Sequence, residues 1–461
     1  MSTQTEEFDV IVIGAGPAGE NAADHAIRNS GRTAALVEAE LVGGECSYYA
    51  CMPSKALLRP LDVIAAANAL GGVGGPVRLD REALLARRDE WVANYNDEGQ
   101  VSWAEGAGIT VIRGRGRLSG ERTVEVADAS GGVRRLRARE AVVVATGSTP
   151  TIPDVYAELA PWTSRDATGV VKVPDRIAII GGGVVACEAA RWLAALGATV
   201  TMLVRGDRLL PRAEPFAGEA VAQSLRSNGI EVRLNATVDA ARRERPEQTG
   251  LGIPHGGVVT LDTDRGELEV DEVLVATGRR PATAGLGLDE HHGDWLHLVG
   301  DASGEAPLTH WGKYRARQVG ALIAARAEGR PAPSLAEPVE APVPQVVFTD
   351  PQVAWTGQTR ADAEHAGRSV ITLDADLTSA AGAALLRDDA TGHARLVADA
   401  ETGQLLGATF VGPEVAELLH SATVAIVGGL TLTQLADAVP SYPTASEVWL
   451  RLLDQPPGRQ R

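Results

Sequence analysis

Two observations predict an α/β fold: a strand–glycine turn–helix–strand pattern occurs twice, and a differently patterned segment of strands and helices closes the chain. The first copy is FDVIVIGAGPAGENAADHAIRNSGRTAALVE, residues 8–38; the second is DRIAIIGGGVVACEAARWLAALGATVTMLVR, residues 175–205. Each reads as a buried apolar strand, a Gly-rich turn, an amphipathic helix and a second apolar strand. That is a βαβ unit with parallel strands. Two such units predict two Rossmann-like dinucleotide-binding domains, and so two dinucleotides. Residues 345–461 read as strands followed by helices, a C-terminal α+β domain.

Between the repeats the pattern predicts a helical stretch over 54–105 and short strands near 109–146. The strand REAVVVATGSTP ends in a Gly-rich turn, and DEVLVATGRRP at 271–281 repeats that ending. LHLVGDASG follows at 296–304, then a helix from Thr309 to Glu328 and a Pro-rich linker, RPAPSLAEPVEAPVP. The expected division is a first dinucleotide domain over 1–148, an inserted second one over 149–270, the remainder of the first with the linker over 271–340, and the last domain over 341–461.

Length and composition agree with several domains. The chain has 461 residues, 44% hydrophobic and 22% charged, which is globular composition. A net charge of −17 favours solubility and argues against nucleic acid or an anionic membrane as the main partner. Apolar runs are strand-length, so no spanning segment is expected. The polar, acidic start MSTQTEEFDV lacks a secretory signal, and a cytoplasmic location is expected. Three cysteines exclude a structural disulfide framework. Lysine is rare: Lys55, Lys172 and Lys313 are the only ones.

Gly14-x-Gly16-x-x-Gly19 follows a strand and opens a helix, the context that gives such a match meaning. Gly14 permits the tight turn, Gly16 admits a pyrophosphate to the backbone, and Gly19 lets helix and strand pack closely. Glu38 ends the second strand, where a carboxylate binds a ribose 2′-hydroxyl. A merely structural turn is the alternative; strand, helix and acid together outweigh it. The second unit carries Gly181-x-Gly183-x-x-Ala186. There Val204 stands opposite Glu38, with Arg205, Arg208 and Arg212 close behind. An apolar residue in place of the acid, followed by arginines, suits a 2′-phosphate and favours NADPH over NADH. The alternative is a solvated Arg-rich loop.

Cys46 and Cys51 sit in GGECSYYACMPSKALL. Pro53 belongs in a first helical turn, so Cys51 lies at a helix N-terminus, a position that favours the thiolate. In a reducing compartment such a pair suggests exchange chemistry rather than stapling. Cys187 falls mid-helix among Ala and Val, where packing is its role. His291, His292 and His297 show no metal-ligand pattern, and no metal site is expected.

Cys-x4-Cys-x-Pro-Ser-Lys after the first fingerprint resembles the pyridine nucleotide–disulfide oxidoreductases, which include lipoamide dehydrogenase, glutathione reductase, mycothione reductase and mercuric reductase. The resemblance also takes in Ala145-Thr146-Gly147, Ala276-Thr277-Gly278-Arg279, Gly300-Asp301 and Phe348-Thr349-x-Pro351. It implies FAD in the first domain, NAD(P) in the second and a homodimer formed by the third, with each active site shared between subunits. It implies that Cys51 is the thiol beside the flavin and Cys46 the interchange thiol that attacks substrate. Lys55, paired with Glu188, would lie near flavin N5, where a cation stabilises the reduced, anionic ring. Asp301 would bond the ribityl chain, and Thr146, Gly147, Gly278 and Arg279 belong to the same cofactor-binding pattern. The helix from Thr309 would aim its positive end at the flavin.

The chain departs from the family at Ser441-Tyr442-Pro443-Thr444-Ala445-Ser446-Glu447. Disulfide reductases of this group carry His-Pro-Thr-x-x-Glu, with His as acid–base. Here Tyr442 replaces it and Glu447 remains. Tyrosine titrates near pH ~10 and is a poor proton shuttle at neutral pH. Mercuric reductases also have Tyr there but use a C-terminal cysteine pair, which RLLDQPPGRQR lacks. His310 stands where the family often has Pro, and reads either as a compensating acid–base or as a capping surface His. The sequence thus predicts an NAD(P)H-dependent flavoprotein passing electrons through Cys46–Cys51 to a disulfide, a quinone or another small acceptor. The alternatives are a dithiol oxidase of lipoamide dehydrogenase type and a redox-sensing or scaffold flavoprotein.

Overall fold

Val10, Ile11, Val12 and Ile13 are buried at the end of the strand Thr5–Ile13, an inner strand of a large sheet. It pairs in parallel with Ala34–Glu38 on one side (Val10 opposite Ala34) and with Val133–Val144 on the other (Ile13 opposite Val144). Ile109–Arg113 extends the sheet beyond Ala34–Glu38, also in parallel. Thr123–Ala127 and Arg115–Gly120 extend the other edge as antiparallel strands, and Leu296–Leu298 pairs with Val133–Val144. The continuous apolar runs follow from burial of parallel strands on both faces.

The computed structural model describes residues 5–335 and 342–454, so residues 336–341 of the Pro-rich linker and the tail after 454 lie outside the described residues. Two compact units result. The first holds the sheet above and comprises residues 5–53, 88–151 and 278–335; the second comprises 54–87, 152–277 and 342–454.

The second unit contains a four-stranded parallel sheet in the order Glu231–Leu234, Thr199–Val204, Arg176–Ile180, Glu272–Val275. An antiparallel meander joins Val238–Arg243, Val259–Thr263 and Gly266–Val270. A five-stranded antiparallel sheet runs Gln345–Val347, Gln352–Gly357, Leu405–Gly412, His393–Asp399, Val370–Asp376. The architecture is therefore a mixed, mainly parallel Rossmann-like sheet, a second Rossmann-like sheet that is all parallel, and a C-terminal α+β domain. In that last domain the order differs from strands followed by helices. The helices Arg360–His365 and Ala381–Ala384 interrupt the strands, the first nucleated by a capping box between Thr359 and Asp362. The helices Leu419–Val427, Leu432–Ala436 and Val448–Leu453 follow the last strand.

The stretch 54–105 also divides more finely than one helical run. Its helices are Cys51–Asn68, Arg81–Trp91 and Glu98–Gly106, with a left-handed turn at Ala93–Tyr95. No described helix is long and apolar enough to cross a membrane.

Candidate active site

In the first unit the glycine turn is built by close packing. Gly14 takes φ +101°, and a Cβ there would lie 2.4 Å from the Ala145 carbonyl oxygen. A Cβ on Gly19 would lie 1.9 Å from the Gly14 carbonyl oxygen, so only glycine lets the helix approach the strand. Gly16 differs: its nearest neighbour would be Gly44 Cα at 4.0 Å, which leaves that backbone open to a ligand. The helix Pro17–Ile27 starts here with Pro17 in its first turn and no side-chain cap, so its first N–H groups can serve an anion.

Glu38 Oε2 accepts from the Ala15 N–H at 2.7 Å, and Oε1 from the Glu40 N–H at 2.7 Å. The open glycine, uncapped helix and strand-end carboxylate fit the adenine-dinucleotide half of an FAD. Glu20, one turn into the helix, is mostly buried and its Oε1 has no hydrogen-bond partner among the described residues. Burial pushes its pKa up to about 7, against the pull of Lys313 and with added repulsion from Glu38.

The two Gly-rich strand endings meet. Ser148–Pro150 pairs antiparallel with Arg279–Pro281. Arg279 Nε donates to Ser148 Oγ at 2.7 Å, and Ser148 Oγ donates to Asp301 Oδ2 at 2.6 Å. The Arg279 guanidinium also lies 3.4 Å from Glu45, the neighbour of Cys46. Thr146 Oγ1 donates to the Ala282 carbonyl at 2.7 Å, and the Ala282 N–H donates to the Gly147 carbonyl. Gly278 takes φ +123° and accepts from the Thr151 N–H. Ser148 and Glu45 were not legible as site residues: strand pairing brings Ser148 to Arg279 and an ion pair brings Glu45 to it, each across more than a hundred residues.

Cys46 lies in the short helix Gly44–Tyr48, and Cys51 opens the helix Cys51–Asn68. Cys51 Sγ is 3.3 Å from Oγ1 of Thr309, the first residue of the helix Thr309–Ala327. The Cys46 thiol hydrogen-bonds Cys51 and Thr309. The bond to Cys51, then burial and repulsion by the Cys51 charge, push the Cys46 pKa up; Thr309 and Lys313 pull it down. The Cys46 thiol is therefore held in its protonated form. His310 is exposed beside Thr309. Cys187 is fully buried in the helix Val184–Leu196, 3.7 Å from the Gly182 carbonyl.

In the second unit Lys55 Nζ donates to Glu188 Oε2 at 2.7 Å. Glu188 is buried, and its Oε1 accepts from the Phe348 N–H at 2.9 Å. Lys55 also lies 4.9 Å from the centre of the Phe348 ring. The second glycine turn repeats the first: a Cβ on Gly181 would lie 2.4 Å from the Ala276 carbonyl oxygen, whereas Gly183 faces nothing within 4 Å. Val204 ends its strand buried. Arg205 and Arg212 are exposed and form no ion pair with any described residue, while Arg208 donates to the Pro211 carbonyl at 3.2 Å.

Tyr442 and Glu447 also belong to the second unit. Tyr442 is 76% exposed, whereas Glu447 is 6% exposed at the start of the helix Val448–Leu453. Glu447 Oε1 is 3.9 Å from Arg451, and Oε2 has no hydrogen-bond partner among the described residues. The structure thus gathers Cys46, Cys51 and Thr309 in one cluster and Lys55, Glu188 and Phe348 in another. Among the described residues, no group of three His, Cys, Asp or Glu side chains is placed to hold a metal ion.

Residues 8–296 match the pyridine nucleotide-disulphide oxidoreductase family, and residues 343–452 match that family's dimerisation domain. The chain is 31% identical to dihydrolipoyl dehydrogenase of Haloferax volcanii, over 97% of this chain and 95% of that protein. It is 32% identical to a mercuric reductase of Shigella flexneri, over 95% of this chain and 79% of that protein. Among solved structures, the Cu(II) complex of the HOCl-induced flavoprotein disulfide reductase RclA from Escherichia coli superposes with a TM-score of 0.82. It shares 22% identity, over 98% of this chain and 99% of that one. LpdA from Mycobacterium tuberculosis superposes with a TM-score of 0.80, also at 22% identity, over 98% and 99% of the two chains. This chain belongs to the pyridine nucleotide–disulphide oxidoreductase family and is a flavoprotein oxidoreductase carrying that family's dimerisation domain.

Proposed function

We propose that this enzyme passes electrons from NADPH through FAD to the Cys46–Cys51 pair, and from the reduced enzyme to a small acceptor, with quinones preferred over glutathione disulfide and lipoamide. The observation that carries the reading is the Cys46–Cys51–Thr309 cluster: two sulfurs in hydrogen-bonding contact, one of them 3.3 Å from the hydroxyl at a helix start. FAD, when bound, accepts two electrons from the nicotinamide and delivers them to the disulfide.

The chain's own residues would divide the work. Cys46, the protonated partner, is the interchange thiol, and Cys51 is the sulfur facing the cofactor. Lys55, held by Glu188 and through it by the Phe348 backbone, supplies positive charge for the reduced cofactor. Glu38 and the Gly14–Gly19 turn would hold the adenosine and pyrophosphate, and Asp301, fixed by Ser148 and Arg279, the ribityl chain. Gly181 and Gly183 repeat that arrangement for the nicotinamide dinucleotide. The exposed Arg205 and Arg212, which have no acidic partner among the described residues, suit a 2′-phosphate; Arg208 is partly engaged with Pro211. The dimerisation domain supports a homodimer.

The acceptor follows from Tyr442. An exposed phenol in place of an imidazole leaves no efficient acid for a departing thiolate at neutral pH. Reduction of a quinone by the reduced cofactor does not require that proton transfer. A second reading, dithiol oxidation, is favoured by the likeness to dihydrolipoyl dehydrogenases, but it needs a base that Tyr442 does not provide. The test is an acceptor screen under NADPH with glutathione disulfide, mycothiol disulfide, lipoamide, DTNB, naphthoquinones and Hg2+. Naphthoquinone turnover above that of the disulfides is the expected outcome; fast turnover of one specific disulfide would overturn the preference.

A further inference from the structure

The segment between the helices Arg81–Trp91 and Glu98–Gly106 has an unusual backbone. Ala93, Asn94 and Tyr95 have φ of +48°, +51° and +59°, a full left-handed turn without glycine. In this region the Cβ crowds the following carbonyl, so three consecutive non-glycine residues there are strained. Two short hydrogen bonds close the turn, Tyr95 N–H to the Val92 carbonyl at 2.8 Å and Asn96 N–H to the Ala93 carbonyl at 3.0 Å.

The turn is pinned on its far side to the cysteine region. Asp97 Oδ2 accepts from the Val42 N–H at 2.7 Å, and the Tyr48 hydroxyl donates to Gln100 Oε1 at 3.0 Å. The strain is thereby confined to three residues, and it sets one ring in place. Tyr95 stacks on Tyr49, with centroids 5.5 Å apart and planes inclined by 29°. Tyr49 follows Cys46 by three positions at the end of the same short helix, where its N–H bonds the Glu45 carbonyl at 2.8 Å. The Tyr95 hydroxyl is buried and has no hydrogen-bond partner among the described residues. A strained backbone and an unsatisfied buried hydroxyl both favour leaving this position, and the stacked ring opposes it.

We infer that Tyr95 is a displaceable cover occupying, on the face of Tyr49, the seat of a planar aromatic acceptor of the quinone class. This inference rests on the acceptor reading above and adds the site that selects it. When the turn relaxes, the Tyr95 hydroxyl regains a partner and the Tyr49 ring, at the end of the short helix that carries Cys46, becomes a stacking platform. An acceptor without a planar ring gains nothing from that exchange.

The test is equilibrium binding of 2-methyl-1,4-naphthoquinone to the oxidised, FAD-loaded protein, followed by calorimetry and by quenching of intrinsic fluorescence. Tyr49→Ala should weaken binding roughly tenfold, by loss of the stacking platform. Tyr95→Ala should tighten it about three- to tenfold, because the competing cover is gone and a larger fraction is competent to bind. Tyr95→Phe should weaken it about two- to fivefold, because the cover then buries no unsatisfied hydroxyl. FAD content equal to wild type shows that each variant is folded. Weakening by Tyr95→Ala as large as that by Tyr49→Ala would overturn the cover, as would no binding to wild type and Tyr95→Ala alike. Because no turnover is involved, the three expected shifts in a protein that does not reduce the quinone would support this site while overturning the acceptor preference.

Discussion

Lys55 Nζ donates to Glu188 Oε2 at 2.7 Å, and the other oxygen of that buried carboxylate accepts from the Phe348 N–H at 2.9 Å. The carboxylate is therefore satisfied at both ends, and the lysine is held over one ring. Lys55→Met should leave Glu188 without its counter-charge. The side chain of Lys55 is 37% exposed, so solvent screens part of the loss, and about 1–3 kcal/mol of stability should go. Denaturant unfolding measures this. Stopped-flow absorbance at the flavin band should in parallel show slower reduction by NADPH. A variant unchanged in both would make the pair a surface contact without function.

Arg205 is the exposed cation at the end of the second repeat. Losing one charge-assisted contact to a phosphate costs about 1.5–3 kcal/mol. Arg205→Ala should accordingly lower the preference for NADPH over NADH about tenfold or more, read as the ratio of the two kcat/KM values. A wild type that prefers NADH, or a ratio unmoved by the substitution, would assign the loop to solvent.

Much of this arrangement was legible in the sequence, and the reason is locality. The strand and helix periods and the glycine spacings are read within about thirty residues, so both βαβ units and the packing of Gly14 and Gly181 could be anticipated. Cys51 at a helix start follows from Pro53 two positions on. The contacts that finish the site are long-range. Thr309 meets Cys51 across 258 positions, and Ser148 meets Asp301 across 153, neither marked by any local pattern. The turn at Ala93–Tyr95 was hidden for another reason: without glycine, Val-Ala-Asn-Tyr reads as more helix, and Asn94 is its single weak sign. The order error in the C-terminal domain came from helices of six and four residues, too short to outweigh their flanking strands.

Glu20 supplies a pH dependence. Its folded pKa is raised from 4.5 to about 7 by burial, so the folded protein binds the proton more tightly than the unfolded chain. Its contribution is fully favourable below about pH 4.5 and is lost as pH rises through 7. Glu20→Gln should remove that loss, stabilising the apoprotein by about 1–3 kcal/mol at pH 8 and leaving it nearly unchanged at pH 4.5. Thermal unfolding at the two pH values checks this. Equal shifts at both would show that the carboxyl is already ionised when buried.

Glu447 keeps one buried oxygen without a hydrogen-bond partner among the described residues. Tyr442→His would restore, five positions before the family's remaining carboxylate, a group that titrates near neutrality. Disulfide reductase activity should rise about 10- to 100-fold, within the usual range for general acid catalysis, with a new pH dependence near 6–7. His310→Ala should lower the residual disulfide activity of the parent only if that side chain has taken over the acid–base role. Steady-state rates against pH separate the two.

Reductive titration of the yellow holoenzyme under anaerobic conditions tests electron passage through Cys46 and Cys51 most directly. One equivalent of NADPH should release two new thiols and raise a long-wavelength charge-transfer band. Cys51→Ser should lack the band, and Cys46→Ser should show it before any reductant is added, because Cys51 then has no disulfide partner. A thiol count that stays constant while the flavin bleaches would contradict the involvement of the pair.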